Sequence, residues 1–481
     1  MSRFLKKEKR KQERGITLIA LITTIIVLLI LAGISIGAIT GSNGVIVNAS
    51  KAKFNTEISE IEEQIELKEI NENNGEEFTF GTLENILGRT DEYNEILSLE
   101  DGELVYEEGK VSDTQKEWLE ELGIFAKKNA IPIYTKEHLQ KMGTGEKIKI
   151  EEAGGIEYTF SDKGYYILQN NINLQGDWQV INVFYGTLDG KNYCISGISG
   201  SSAIINRNNG TIQNLKVEGN LEKTGNYIGG IVNTNNANAK IINCENNVSI
   251  KGDEFVGGIA GVNNSGGTVE NCINNAYLGA NSIAGGIVGN NYGNVKRCAN
   301  LHEIKLADFS IGGVVGINNG TVEECYNIGN ILTTTGYVRY AKGGVVGRNS
   351  GIIKKCYNTA KVDGSKNWNV GGIAGDNISG GEICFCYNIG EIIGGPSGGI
   401  VGENIGDIKN CYTIDSKEVF GANRGTSEKC LKLTEEQMKN NESIIIDDLT
   451  TNLIKLLNEE EAIFEEDSEN INNGFPIFKE E

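Results

Sequence analysis

Cysteine is the residue type in this chain whose spacing most strongly suggests chemistry. The chain has 10 cysteines, and seven recur once per repeat, at Cys244, Cys272, Cys298, Cys325, Cys356, Cys386 and Cys411. Stacked copies would approach the Cα separation of a disulfide, about 4.4–6.8 Å. A disulfide framework is, however, typical of small exported domains that lack a core. The sequence therefore favours free, inward-facing thiols that form a structural column.

Metal and cofactor sites are not predicted. Cys384 and Cys386 form a C-x-C pair without the second pair of a zinc site, and His138 and His302 are the two histidines of the chain. The recurring phrase GGxxGxN also differs from calcium-binding repeats, which carry Asp and have a period of about nine residues.

Asparagine and tyrosine recur with the cysteines. An asparagine follows each glycine pair, where stacked amides can form a hydrogen-bonded ladder, at Asn235, Asn263, Asn291, Asn318, Asn349, Asn377 and Asn404. A tyrosine follows the cysteine in four successive repeats, at Tyr326, Tyr357, Tyr387 and Tyr412. If the cysteines face inward, these rings form an outward stripe that can bind sugar rings or a protein. The alternative is that the rings only stack and stabilise the surface.

Acidic residues are the candidates for catalysis. Glycan-cleaving enzymes need a pair of carboxylates, or carboxylates that hold a metal. Asp363, Asp376, Glu403 and Asp407 lie in the repeats at positions that vary from copy to copy, and no dense acidic group breaks the pattern. The sequence therefore predicts no enzyme, with a carbohydrate-active enzyme (polysaccharide lyase or glycosidase) as the alternative. Arg339 and Trp368 lie in longer variable stretches, where binding residues are common.

The elements that must position these residues follow from the repeat itself. Seven copies of the glycine-pair phrase begin at Gly229, Gly257, Gly285, Gly312, Gly343, Gly371 and Gly398. A fixed period of about 28 residues with no helical pattern is typical of a solenoid whose coils each depend on their neighbours. We therefore expect a mainly β fold, a parallel β-helix over residues 131–430.

The flanking segments differ in charge and hydropathy. Residues 1–15 are a basic leader, and residues 16–70 begin with an uncharged apolar run that predicts a transmembrane helix continuing as a stalk. Residues 71–130 predict a small α+β segment, and residues 431–481 predict an acidic cap over the last coil. The net charge of -21 argues against nucleic acid as a partner.

The N-terminal phrase RGITLIALITTIIVLLILAGISI resembles the start of type IV prepilins and pseudopilins. The resemblance implies cleavage between Gly15 and Ile16 by a prepilin peptidase, methylation of the new N-terminus, and pilin-like subunits as partners. The family places Glu at the fifth residue after the cut, where this chain has Ala20, and that departure counts against pilus assembly. The next residues, to about position 66, resemble clostridial pilin-like surface proteins.

The repeats resemble the GLUG-repeat family, which implies a right-handed parallel β-helix on bacterial surface proteins. The combined expectation is a single-pass protein of a Gram-positive cell membrane with most of its chain extracellular. Its expected role is structural or adhesive, with glycans or cell-surface proteins as ligands, or that of a minor pilin-like subunit.

Overall fold

The computed structural model describes residues 45–71, 80–82, 92–100, 103–106, 110–122, 124–126, 130–175, 178–223, 226–306, 309–333, 341–364, 369–414, 418–446 and 449–479. The chain divides into two compact units, residues 1–128 and residues 129–481. Each is considered by itself.

The first unit is a small α+β assembly. Its helices are Val45–Asn71, Glu92–Ile96 and Asp113–Glu121, and its strands are Phe80–Thr82, Leu97–Glu100, Glu103–Tyr106 and Phe125–Ala126. One face of the long helix carries apolar residues three or four apart. These residues are buried against the sheet and the last helix, in a core made of Phe54, Ile58, Ile61, Ile65, Tyr93, Ile96, Leu97, Leu104, Tyr106, Leu119 and Ile124.

The predicted transmembrane and stalk helix is corrected by this arrangement. The first described helix begins at Val45, carries charges such as Lys51, Lys53 and Glu57, and packs its apolar face on its own unit instead of forming a free stalk. Within the described residues, no helix has the length and apolar character that a membrane span requires. The apolar run of residues 16–39 and the proposed cleavage site at Gly15 and Ile16 lie outside those residues.

The second unit confirms the predicted parallel β-helix. The coils between Ile228 and Ile414 pass through four sheets, numbered here in chain order from the glycine pair, and neighbouring coils pair in parallel. Sheet 1 contains Ile228–Gly229, Val256–Gly257, Ile283–Gly285, Ser310–Gly312, Lys342–Gly343, Val370–Gly371 and Ser397–Gly398. Sheet 2 contains Ile181–Phe184, Ile205–Asn208, Val232–Asn235, Ala260–Asn263, Val288–Asn291, Val315–Asn318, Val346–Asn349, Ala374–Asn377, Val401–Asn404 and Phe420–Asn423.

The other two sheets complete the coil. Sheet 3 contains Ala130–Ile133, Tyr165–Leu168, Thr187–Asp189, Thr211–Gln213, Lys240–Ile242, Thr268–Glu270, Asn294–Lys296, Thr321–Glu323, Ile352–Lys354, Glu382–Cys384, Asp407–Lys409 and Thr426–Glu428. Sheet 4 begins with Ile172–Asn173, Cys194–Gly200, Lys216–Lys223 and Glu245–Gly252 and then divides in two. One branch is Ile273–Asn274, Ala299–Asn300, Tyr326–Asn327, Tyr357–Asn358, Tyr387–Asn388, Tyr412–Ile414 and Leu431–Leu433, and the other is Leu278–Ala280, Ile304–Leu306, Ile331–Thr333, Val362–Asp363 and Ile392–Ile393.

The glycine pair is required because opposite walls of the coil nearly touch. A Cβ on Gly344 would lie 2.0 Å from the carbonyl oxygen of Gly372 and 2.3 Å from Cγ of Asn358. Any side chain there would overlap the amide of the same coil. The pair and the asparagine that follows the cysteine are therefore one packing unit, which explains why both recur together.

The two ends of the solenoid are finished differently. At the N-terminal end, helix Lys136–Lys141 and hairpin Lys147–Ile150/Ile156–Thr159, joined by 3₁₀ turn Glu151–Ala153, supply buried side chains to the solenoid core. At the C-terminal end, Ser427 follows Ile408 in an otherwise apolar core column and is exposed. The last coil is thus made polar by its own sequence, as terminal repeats commonly are.

The C-terminal segment, residues 434–479, packs on the side of the coils. Its elements are helix Glu435–Met438, hairpin Ile444–Ile446/Leu449–Thr451, helix Leu453–Leu457, and strands Phe464–Glu465 and Ile477–Phe478. Its core residues contact Tyr357, Tyr387 and Tyr412 of sheet 4. The sequence placed this segment over the last open coil, whereas Thr426, Ser427 and Glu428 of that coil remain exposed.

Candidate binding site

The asparagines after the glycine pairs form a continuous buried ladder. From Asn208 to Asn404, each side-chain Nδ2 donates to Oδ1 of the next asparagine at 2.8–2.9 Å, through Asn235, Asn263, Asn291, Asn318, Asn349 and Asn377 to Asn423. The same amides also donate to turn carbonyls, such as Gly320 for Asn318 at 3.2 Å. Because both hydrogens of these amides are used, the ladder is a structural element and not a ligand site.

A second ladder follows the cysteine column. Five hydrogen bonds of 2.7–2.8 Å connect Asn246, Asn274, Asn300, Asn327, Asn358 and Asn388. All six are buried, and Thr413 occupies the next position. The two ladders pair the buried amide groups of successive coils with one another.

The cysteines lie where an inward column places them. Cys244, Cys272, Cys298, Cys325, Cys356, Cys386 and Cys411 are buried, and all ten cysteines are free thiols. Backbone N–H groups donate along the column, as from Cys298 to Sγ of Cys325 at 3.3 Å. Burial raises the pKa of the Cys298, Cys356 and Cys386 thiols well above its ordinary value. Buried among the apolar side chains of the core, the column contributes packing.

The tyrosine stripe is stacked as its spacing suggests, but it does not face solvent. Tyr326, Tyr357 and Tyr387 stack with ring centroids 5.0 Å apart and planes within 8°. The C-terminal segment covers them: Phe478 packs on Tyr357 at 5.0 Å and Phe464 on Tyr387 at 5.9 Å. Tyr387 and Tyr412 are fully buried. The exposed binding stripe expected from the sequence is thus absent, because the tail folds back on it.

Ion pairs attach the same segment to the corner between sheets 3 and 4. Lys354 Nζ lies 3.2 Å from Glu460 Oε2, Lys429 Nζ lies 2.8 Å from Glu459 Oε1, and the buried Lys355 pairs with Glu461. The Lys429 ammonium holds the pKa of Glu459 below its usual value. These contacts make the segment a fixed part of the coil surface.

A row of charged residues lies on the outer face of sheet 2, at a position of the repeat that varies between coils. In register along this sheet, the outward position changes from Thr234, Val262, Asn290 and Ile317 to Arg348, Asp376 and Glu403. Because neighbouring strands lie about 4.8 Å apart, these three side chains are adjacent. We call Arg348, Asp376, Glu403 and the nearby Arg424 the charged row.

Asn369 binds the two carboxylates of the charged row together. Its Nδ2 donates to Asp376 Oδ1 at 2.5 Å and to Glu403 Oε2 at 3.1 Å. Asn369 has φ +63°, in the left-handed region that asparagine tolerates better than most residues. Glu403 also pairs with Arg424, with Nη1 3.0 Å from Oε1.

Asp376 gains a proton more readily than an ordinary aspartate does. Burial raises the pKa of Asp376 to about 6, aided by the Glu403 charge and opposed by the Asn369 hydrogen bond and by Arg348. Glu403 is held by a guanidinium partner. The row therefore contains a carboxyl group that gains a proton in mildly acidic solution beside a carboxylate paired with arginine, an arrangement suited to hydrogen bonding with a polar ligand.

Two consecutive coils near this row have long connections between sheets 4 and 1. Sheet 4 ends at Thr333 and sheet 1 resumes at Lys342 in one coil, and the next coil runs from Asp363 to Val370. The sequence assigned Asp376 and Glu403 to a solvated surface. The sequence does hold a signal for this site. Consecutive repeats contain extra residues between sheets 4 and 1, and the outward position of sheet 2 changes there from neutral to charged residues. Asp363 and Asp407, on strands of sheets 4 and 3, lie outside the row.

Metal ligation finds no support in the described ranges, where no group of three or more His, Cys, Asp or Glu is arranged to hold an ion.

Comparisons with known proteins give distant likenesses. No family model and no curated protein matches the chain. Among solved structures, the chain is similar to "a putative immunoglobulin A1 protease from Bacteroides ovatus", with 19% identity over 73% of this chain and 92% of that one and a TM-score of 0.34. It is also similar to a structure named "IgA1 Protease", with 15% identity over 60% of this chain and 22% of that one and a TM-score of 0.36. At these values neither likeness identifies an activity, and the prepilin and GLUG resemblances stay predictions.

Proposed function

We propose that this protein is a rigid recognition scaffold that binds a glycan at the charged row. The observation that carries this proposal is the pair Asp376 and Glu403, which share the amide of Asn369 on the outer face of sheet 2. A stiff scaffold that presents polar side chains on one face is a usual arrangement of a binding protein.

The chemistry of the row favours sugar hydroxyl groups over an apolar protein surface. Carboxylates accept hydrogen bonds and guanidinium groups donate them, and in the charged row the carboxylates of Asp376 and Glu403 lie between the guanidinium groups of Arg348 and Arg424. Sugar hydroxyls both donate and accept, so a chain laid across the coils would find partners of both kinds. The buried tyrosine stripe contributes nothing to this surface, since its rings face the C-terminal segment.

A glycan array probed with the full chain tests the proposal. We expect binding that falls at least tenfold in the double variant Asp376→Asn/Glu403→Gln. Glu382→Gln, which removes an exposed carboxylate from sheet 3, is the matched control and should bind as the wild type does. Equal binding by the double variant, or no glycan bound by the wild type, would contradict the proposal.

The second candidate is a glycoside-cleaving enzyme at the same row. It is favoured by the pKa of Asp376, raised to about 6 as a general acid requires, next to the arginine-paired Glu403. Incubation of the full chain with the glycans it binds, followed by analysis of reducing ends, separates the two functions. New reducing ends that disappear in Asp376→Asn would support the enzyme, and intact glycans support the scaffold.

A further inference from the structure

The cysteine column changes character at its last member. Cys244 to Cys411 are buried at successive positions of the column, whereas Cys430, on the last coil, is half-buried. Its strand pairs in parallel with the strand that follows Cys411, with Tyr412 opposite Leu431. Cys411 and Cys430 therefore lie side by side on neighbouring coils, where the N–H of Leu431 donates to the carbonyl of Cys411 at 3.0 Å.

The geometry of neighbouring coils is close to that of a disulfide. Strands about 4.8 Å apart place the Cα atoms of Cys411 and Cys430 within the range of about 4.4–6.8 Å found in disulfides. The Cβ atoms must approach to about 3.8 Å, so one coil has to move toward the other. Inner coils cannot do this, because each is hydrogen-bonded on both sides.

The last coil can make this movement. In sheets 2, 3 and 4 its strands Phe420–Asn423, Thr426–Glu428 and Leu431–Leu433 each pair with one neighbour only. Ser427, exposed at this end, adds no apolar packing that would resist the shift. The last coil is held at its side, where Leu433 packs in the core of the C-terminal segment and Lys429 pairs with Glu459, but its outer edge has no strand neighbour. Of the cysteines in the column, Cys430 is the one that is half-buried and lies at this edge.

We propose that Cys411 and Cys430 are a redox-sensitive pair that closes into a disulfide and fastens the last coil to the solenoid. The oxidant is a small disulfide such as oxidised glutathione. The Cys430 thiolate attacks one sulfur of this disulfide and displaces one glutathione thiolate. The Cys411 thiolate then attacks Sγ of Cys430 and displaces the second. The two protein thiols lose two protons and two electrons, and one glutathione disulfide becomes two thiols.

Contact with Cys411 and burial raise the pKa of Cys430 above its ordinary value. Because the thiolate is the nucleophile, the reaction is expected to accelerate as the pH rises from neutral to mildly alkaline.

Mass spectrometry of the folded full chain tests this pair. After incubation with oxidised glutathione at mildly alkaline pH, the protein is denatured, its free thiols are alkylated, and its peptides are mapped. We expect a cross-linked peptide containing Cys411 and Cys430, with the other eight cysteines alkylated. A stable glutathione adduct on Cys430, a cross-link elsewhere in the column, or complete alkylation of all ten would each overturn the proposal.

Two variants make the test specific. Cys430→Ser, at a half-buried position, should abolish the cross-link without affecting the fold, as shown by an unchanged circular dichroism spectrum. Cys194→Ser removes the other half-buried thiol, which lies outside the column, and should leave the cross-link intact. A second readout is amide hydrogen exchange of residues 418–433, which should slow at least fivefold on oxidation in the wild type and remain unchanged in Cys430→Ser.

Discussion

Asp376 shows how one carboxyl group couples the charged row to the stability of the fold. Its pKa in the folded protein is about 6, compared with 3.8 for an unperturbed aspartate. Between these two pH values the folded state binds the proton more tightly than the unfolded state does. The contribution of this group to stability therefore decreases as the pH rises from about 4 to about 6.

The variant Asp376→Asn should remove this decrease, because a neutral amide does not lose a proton and can still accept from Asn369. Relative to the wild type, we expect the variant to gain up to about 3 kcal/mol between pH 4 and pH 7, since one pKa unit corresponds to about 1.4 kcal/mol. Urea unfolding at both pH values measures the difference. Glu382→Gln controls for the general loss of one negative charge. A stability difference for Asp376→Asn that does not change with pH would refute the assignment.

The C-terminal segment is the element whose role differs most from its sequence pattern. Its own core, Met438, Ile444, Leu453, Leu457, Phe464 and Phe475, is completed by the tyrosines of sheet 4. Tyr387 links sheet 4 to the segment, because its hydroxyl donates to the carbonyl of Pro476 and accepts from Asn472 Nδ2 at 3.0 Å. The C-terminal segment and the tyrosine stripe therefore share one hydrophobic core, which lies on the side of the solenoid.

Phe464→Ala should detach this segment while the coils remain folded. Phe464 is fully buried between Tyr387 and Phe478, and removing such a ring typically costs about 3–5 kcal/mol. Limited proteolysis should then cut within residues 434–479 at least tenfold faster. Ile445→Ala, on the same segment but 73% exposed, serves as the control and should leave the cleavage rate unchanged. If both variants resist cleavage equally, the segment is held by other contacts.

Periodic features of the molecule could be predicted from sequence, and aperiodic ones could not. The glycine pairs, the cysteines and the asparagines repeat because each coil must satisfy the same packing against its neighbours, so their period reveals the solenoid. The contact of Phe464 with Tyr387 joins residues 77 positions apart and occurs once, so no repeat in the sequence predicts it. The same is true of Asn369, whose two carboxylate partners lie on different coils.

At the scale of the whole molecule, the solenoid is a stack of nearly equivalent coils. Successive strands keep their register, as in Asn263 opposite Asn291 and Asn291 opposite Asn318. In such a stack, stability is approximately a sum over coils and the interfaces between neighbouring coils. Removing one complete coil therefore leaves an intact, shorter stack.

Deletion of residues 257–284 tests this property. Val256 would then precede Gly285, and the asparagine ladder would continue from Asn235 to Asn291. We expect a folded protein whose solenoid is shorter by about 4.8 Å, measured by small-angle X-ray scattering and circular dichroism. Deletion of residues 257–270, half a coil, is the matched control and should prevent folding, because it brings unlike sheets into register. A folded half-coil variant would be inconsistent with a stack of equivalent coils.

Residues 434–479 follow the coils in the sequence, and this order has a consequence for biosynthesis. Tyr326, Tyr357, Tyr387 and Tyr412 leave the ribosome before the side chains that cover them. A growing chain with all its coils complete therefore still exposes an apolar aromatic surface to other nascent chains. Premature termination before residue 434 would make that exposure permanent.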